Sequence, residues 1–113
     1  MNVTTAQHGP VTIVTVNESR LTYPVLADFA TVTADLIARG EKRLVIDLGA
    51  VGYVDSATIG CLMDLYRQAT ATGGRLKLAG VQKRVETMLT MTGAHHFLEV
   101  YADRPTALAS FGG

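Results

Sequence analysis

Along this chain the spacing of apolar residues switches repeatedly between two periods, and that switching constrains the fold more than any other feature. Val11-Thr12-Ile13-Val14-Thr15-Val16 alternates β-branched apolar with polar residues except at Val14, the pattern of a strand with one buried face. Asn2 to Ala6 is also rich in Thr and Val, and His8-Gly9-Pro10 reads as a turn, so the two segments are expected to form an antiparallel hairpin. From Tyr23 to Arg39 the period lengthens. Val25, Leu26, Phe29, Val32, Leu36 and Ile37 recur at helical steps, with Pro24 in the first turn and a stop at Gly40.

The alternation continues to the end of the chain. Arg43 to Leu48 is an apolar run too short for a helix and reads as a strand buried on both faces. A helix from Ser56 to Thr72 follows, with Ile59, Leu62, Met63, Tyr66 and Ala69 inward and Gly73-Gly74 ending it. Leu76 to Ala79 is a further central strand, and Val81 to Met91 a short helix with Val85, Met88 and Leu89 inward. Phe97 to Tyr101 is a last strand. Asp103 is expected to cap a closing helix, with Pro105 in its first turn and Leu108 and Phe111 beneath. Strands that alternate with helices call for right-handed crossovers, so the expected class is α/β: a mixed, mostly parallel sheet with an N-terminal antiparallel hairpin and the four helices just named.

Composition bounds the function. With 113 residues, 48% of them hydrophobic, the chain can bury one core, and residues 1–113 are read as a single domain. Ten Lys plus Arg against ten Asp plus Glu give a net charge of +0, which provides no field to attract nucleic acid or an anionic membrane. The apolar runs fall far short of the roughly 20 residues that cross a bilayer. The opening Met1-Asn2-Val3-Thr4-Thr5 lacks the basic and apolar regions of a signal peptide. One cysteine, Cys61, forms no intramolecular disulfide and no Cys-based metal cage. A cytoplasmic protein without metal or cofactor is expected.

In an open α/β sheet, function gathers at the carboxyl ends of the strands, here at Gly49-Ala50-Val51-Gly52-Tyr53-Val54-Asp55-Ser56. Tyr53 and Val54 are apolar enough to anchor this loop. Asp55 and Ser56 stand where a helix starts, and the residues leave two readings open. One of them is simply the N-cap, contributing about 0.5–2 kcal/mol. Alternatively, Ser56 is a modifiable hydroxyl whose phosphate would be held by free N–H groups and the helix dipole, changing the surface but not the fold. Other chemistry is weaker. Asp47 ends a strand like a phospho-aspartate, but only Glu18 is at hand as a further Mg²⁺-binding carboxylate. No GxxxxGK[ST] loop occurs, the adjacent His95 and His96 should point apart, and Cys61 reads as a small core residue. No nucleophile, base and orienting group assemble, so no enzyme is expected.

The segment Leu44-Val45-Ile46-Asp47-Leu48, with Val51 and Tyr53-Val54-Asp55-Ser56-Ala57-Thr58-Ile59-Gly60-Cys61-Leu62, resembles the core signature of STAS domains, the family of bacterial anti-sigma factor antagonists. Gly73 to Leu78 and then Val85, Leu89 and Phe97 extend the similarity over about residues 3 to 111. The family motif is Asp-Ser-(Ser/Thr/Ala)-Gly-Leu-Gly, which makes Ser56 the equivalent of the phosphorylated serine and Asp55 the residue that sets its loop.

The resemblance implies partner switching. The unmodified antagonist binds an anti-sigma factor, often a serine kinase of the GHKL type; phosphorylation of Ser56 breaks that complex, and a PP2C-type phosphatase restores it. Asp55, Ser56, Ala57, Thr58 and Ile59 are the expected partner-binding residues, and the apolar Val51 and Ile59 are expected to be exposed for a hetero-complex or a homodimer. Two departures stand out. Thr58 replaces the family's Gly and adds a second hydroxyl near the helix start, and Asn17-Glu18-Ser19-Arg20-Leu21 replaces a Gly-Glu-Leu-Asp-like turn. The alternative is a STAS scaffold or sensor module, not phosphorylated, that oligomerises or binds a small apolar ligand.

Overall fold

Val3–His8 (β1) and Val11–Val16 (β2) pair antiparallel around a two-residue turn at Gly9-Pro10, so the first strand runs two residues further than its Thr/Val pattern suggested. The structure is a computed structural model, and it describes residues 2–112. The chain continues through a two-residue strand, Arg20–Leu21 (β3), then α1 (Val25–Ala38), β4 (Arg43–Asp47), a second two-residue strand, Tyr53–Val54 (β5), and α2 (Ser56–Ala71). It closes with β6 (Arg75–Ala79), α3 (Lys83–Met91), β7 (Glu99–Tyr101) and α4 (Arg104–Ala109). The main sheet has the order β1-β2-β4-β6-β7, and every pair after the hairpin is parallel.

The two faces of this sheet are unequal. Parallel neighbours need a crossover, and right-handed crossovers that all step toward the same edge place their helices on the same face. Accordingly α1, α2 and α3 pack into one large core through Phe29, Ile37, Leu62, Leu65, Val85 and Leu89, against Val14, Val16, Leu44, Ile46, Leu76 and Leu78 of the strands. The alternate strand residues Val11, Ile13, Val45 and Ala79 point to the other face and meet Ala107 and Leu108 of α4, with Tyr101 and Phe111 beside them. Arg104 fastens this helix. Its Nε and Nη2 donate to Asp47 Oδ2 at 3.0 and 2.7 Å, and Nη2 also donates to Thr15 Oγ1 at 3.0 Å.

Local signals explain most boundaries. The α1 C-terminus turns at Gly40, whose φ of +92° suits a residue without Cβ, and Glu41 N–H reaches back to the Leu36 carbonyl. Asp103 caps α4 by accepting from Thr106 N at 2.9 Å, as its position before Pro105 suggests.

Five features differ from the sequence pattern. Pro24 is the N-cap of α1 and not a residue of its first turn. Val81 and Gln82 remain outside α3, which starts at Lys83. Phe97 and Leu98 are not in the last strand, because their N–H groups close a 3₁₀ turn over Ala94–His96 by donating to the Ala94 carbonyl at 3.0 and 2.9 Å. That turn also brings the rings of His95 and His96 to 4.0 Å, tilted by 36°, instead of pointing them apart. Along α2, Leu65 takes a fully buried place, whereas Met63 and Tyr66 are only half-buried.

One buried group is left unpaired. Thr33 in α1 is fully buried, and its hydroxyl has no hydrogen-bond partner among the described residues. Replacing it with the isosteric Val removes an uncompensated desolvation, so Thr33→Val is expected to raise stability by about 1 kcal/mol in urea denaturation. A variant less stable than the parent would show that this hydroxyl is satisfied.

Candidate functional site

The Asp55-Ser56 step lies beyond the carboxyl ends of β4 and β6, on a loop held from several sides. Val51 and Val54 are buried beneath it. Gly52 and Tyr53 donate their N–H groups to the Ser19 carbonyl at 2.8 and 3.2 Å, which draws β3 alongside β5 in a parallel pair. These two-residue strands are too short to show a period in the sequence. From the next loop, Gln82 Nε2 donates to the Gly49 carbonyl at 2.8 Å. Gly80 has a φ of +70°, and a Cβ there would stand 3.3 Å from Gly49 Cα, so the two loops meet backbone to backbone.

At the helix start the two adjacent polar residues divide the work. Asp55 has extended backbone geometry and is the N-cap: its Oδ1 accepts from Thr58 N at 2.9 Å. That N–H and then the Thr58 hydroxyl hold the Asp55 carboxyl below its ordinary range, so it stays ionised. Ser56 is the first residue of α2 and is exposed, and its hydroxyl is not required as the cap. Ala57 and Gly60 are exposed beside it, and nothing lies within 4 Å of where a Gly60 Cβ would be, so this end of α2 offers a low, open surface. Next to it, the Arg20 guanidinium lies 4.3 Å from the centre of the Tyr53 ring.

Two of the expected partner-binding residues are not on this surface. Thr58 is 0% and Ile59 5% exposed, and Val51, expected to be an exposed apolar residue, is 0% exposed. The Thr58 hydroxyl shares its one proton between the Leu21 carbonyl and Asp55 Oδ1, the latter at 2.9 Å. It therefore ties α2 to β3 and is closed to modification, so Ser56 is the accessible hydroxyl of the pair. The spacing is compatible with this place without selecting it: Thr58 stands four, seven and eleven residues before Leu62, Leu65 and Ala69, on the buried stripe of the helix. The structure adds Gly60 and the Arg20–Tyr53 pair to the surface near Ser56; of the two residues expected to anchor the loop, Val54 is buried but Tyr53 is exposed.

The remaining candidates are committed elsewhere. Asp47 is held by Arg104 and by Gly49 N–H at 2.9 Å. Cys61 is half-buried, and burial, followed by the nearby Asp64, pushes its thiol up, away from the reactive thiolate. Among the described residues no helix is long and apolar enough to cross a membrane, and no group of three or more His, Cys, Asp or Glu side chains could hold a metal ion.

Comparison with known proteins gives a consistent picture. A family model described as STAS domain matches residues 2–107. A protein of Bordetella bronchiseptica, BtrV, named as a candidate anti-sigma factor antagonist, is 28% identical over 75 residues, which cover 66% of this chain and 65% of that protein. The chain thus spans just under two thirds of that relative's length. A crystal structure of a Thermotoga maritima protein, tm1081, described in the same terms, superposes with a TM-score of 0.86 at 19% identity, covering 96% of this chain and 92% of that one. SpoIIAA, an anti-sigma factor antagonist, superposes in its unphosphorylated form with a TM-score of 0.74 at 15% identity, covering 98% of each chain. Its phosphorylated form, from Bacillus, gives 0.76 at 13% identity over 96% of this chain and 98% of that one. These solved structures establish the likeness of fold.

Thr58→Val is expected to cost about 1–3 kcal/mol, because it strips the buried Leu21 carbonyl and the Asp55 carboxylate of a donor. Ser56→Ala, at an exposed position that is not the cap, is expected to stay within about 0.5 kcal/mol of the parent. Chemical denaturation of both variants checks the contrast, and equal losses would contradict the assigned roles. The Asp55 cap also has a pH signature. A depressed folded-state carboxyl adds stability above its unfolded value, about 3.9, and loses it as pH falls through the lower folded value. Asp55→Asn keeps an uncharged cap, so its stability relative to the parent is expected to improve as acid is added through that window.

Proposed function

The chain belongs to the STAS domain family, and from that premise we propose that it is an anti-sigma factor antagonist that works by partner switching at Ser56. In this reading the unmodified protein binds an anti-sigma factor that is also a serine kinase of the GHKL type. Phosphorylation of Ser56 releases the kinase, and a PP2C-type phosphatase resets the cycle. The protein is then a substrate and a switch in the cytoplasm, without catalysis of its own.

The observation that carries the proposal is the exposed Ser56 hydroxyl at the first position of α2, freed from capping by Asp55. Two further features support it. The occurrence of SpoIIAA in unphosphorylated and phosphorylated forms is in keeping with a fold that accepts the modification. The open surface of Ser56, Ala57 and Gly60 lets another protein come close to the helix end. A phosphate there adds about −1.5 to −2 charges at the favourable end of the helix dipole, so the fold tolerates it. A partner seated over the same spot must desolvate that charge, and its affinity falls. The partner surface is accordingly assigned to Ser56, Ala57 and Gly60 with the Arg20–Tyr53 pair, and Thr58 and Ile59 act from beneath.

Incubation with ATP and a cognate GHKL-type kinase is expected to add one phosphate, located on Ser56 by mass spectrometry and absent from Ser56→Ala. Lack of modification by every such kinase of the source genome would favour the scaffold reading. Ser56→Asp is expected to weaken the kinase complex at least about tenfold in calorimetry while leaving Tm nearly unchanged. Undiminished affinity would count against the switch.

A further inference from the structure

The face of the sheet away from α1, α2 and α3 carries a site that the Ser56 surface does not use. α4 is only six residues long and leaves part of that face open as a groove of about 780 Å³, with Ala6, Ile13, Pro105, Leu108 and Phe111 forming an apolar wall. Arg43 and Phe111 line both this groove and a polar recess of about 540 Å³, which gathers Lys42, Arg43, Arg75 and Lys77 against one carboxylate, Glu99. Both spaces fall within the roughly 300–1,000 Å³ typical of small-molecule sites.

The charges in the recess are unequally satisfied. Lys77 is buried and fixed: its Nζ donates to Ser110 Oγ at 2.9 Å and to the Ser110 carbonyl at 3.2 Å, and it lies 4.2 Å from the centre of the Phe111 ring. Glu99 stands 3.8 Å from Lys77 and also accepts from the Tyr101 hydroxyl at 2.7 Å. Arg104, at the far side of the groove, is neutralised by Asp47. Arg43 and Arg75 are different. They are direct register partners on β4 and β6, and neither guanidinium makes an ion pair or hydrogen bond among the described residues. Like charges facing each other across a ladder destabilise a sheet, and an anion between them reverses the sign of that term. Two planar guanidiniums suit a carboxylate or phosphate head.

We propose that this face binds an amphipathic anion with a single acyl-type tail, its head between Arg43 and Arg75 and its tail along the groove toward Leu108 and Pro105. An apolar wall that runs into an uncompensated pair of cations selects for that combination over either half alone. Phe111 already has Lys77 over its ring, so the wall offers aliphatic surface more than a platform for stacking a base. The site involves neither Ser56 nor its loop, so it stands or falls separately from the switch.

The test is an amide NMR titration of the full chain with decanoate below its micelle concentration, with decanol, butyrate and inorganic phosphate as comparisons. Decanoate is expected to give saturable shifts in β2, α4 and the starts of β4 and β6. Its affinity should exceed that of decanol, butyrate and phosphate by at least about tenfold, and the Arg43→Gln/Arg75→Gln double variant should lose a similar factor. Both arginines are exposed, so the double variant is expected to fold, as a thermal melt will verify. Ser56→Ala should bind decanoate as the parent does. Absence of saturable shifts on this face, equal binding of decanol or phosphate, or full affinity in the double variant would overturn the proposal.

Discussion

Each parallel step of the sheet moves the same way, from β2 to β4 to β6 to β7, and the handedness of the crossover does the rest. Three helices are committed to one face, where they bury the large core against alternate strand residues. Among the described residues, α4 is the one helix on the other face, fastened by the Arg104–Asp47 pair. Both sites follow from this asymmetry. The loops at the carboxyl ends of the strands converge on the start of α2, while the thinly covered face leaves a groove whose cationic end is built from the first residues of β4 and β6.

At the start of α2, mechanical and chemical tasks fall to different side chains within one turn. Asp55 satisfies the backbone, and Thr58 turns inward to join α2 to β3. Ser56, between them in sequence, is left with a hydroxyl that the fold does not need. A residue free of structural duty can change its charge without disturbing the core, and the positive end of a helix accepts a phosphate more readily than most surfaces do. The departure of Thr58 from the family's Gly thus acts on the floor of the site, through the Leu21 carbonyl, and not on the surface that a partner meets.

The same logic explains which parts of the site were hidden in the sequence. Thr58 and Leu65 share the buried stripe of α2 with Leu62 and Ala69, yet a threonine counts as polar in any periodicity, and an apolar stripe can be drawn a few tens of degrees off through Met63 and Tyr66. Val51 and Ile59 look available beside a surface loop, but the loop is pulled down by the Ser19 carbonyl and both side chains are covered. Lys77 gives no hint of burial within Leu76-Lys77-Leu78, where alternation alone would send it to solvent; Ser110 and two rings, more than twenty residues away, receive it instead.

Apart from β3, β5 and the 3₁₀ turn, the order and kind of the elements, the hairpin, the buried central strands and the polar pair at the mouth of α2 were determined by the sequence itself, because period, turn chemistry and helix capping act within a few residues. Which of two nearby hydroxyls faces water, how β3 pairs with β5, and how Arg43 and Arg75 come to face each other were decided only by the tertiary structure. Those outcomes depend on the rotation of a helix over the sheet and on the register between distant strands, and both are set by packing between segments that no local pattern connects.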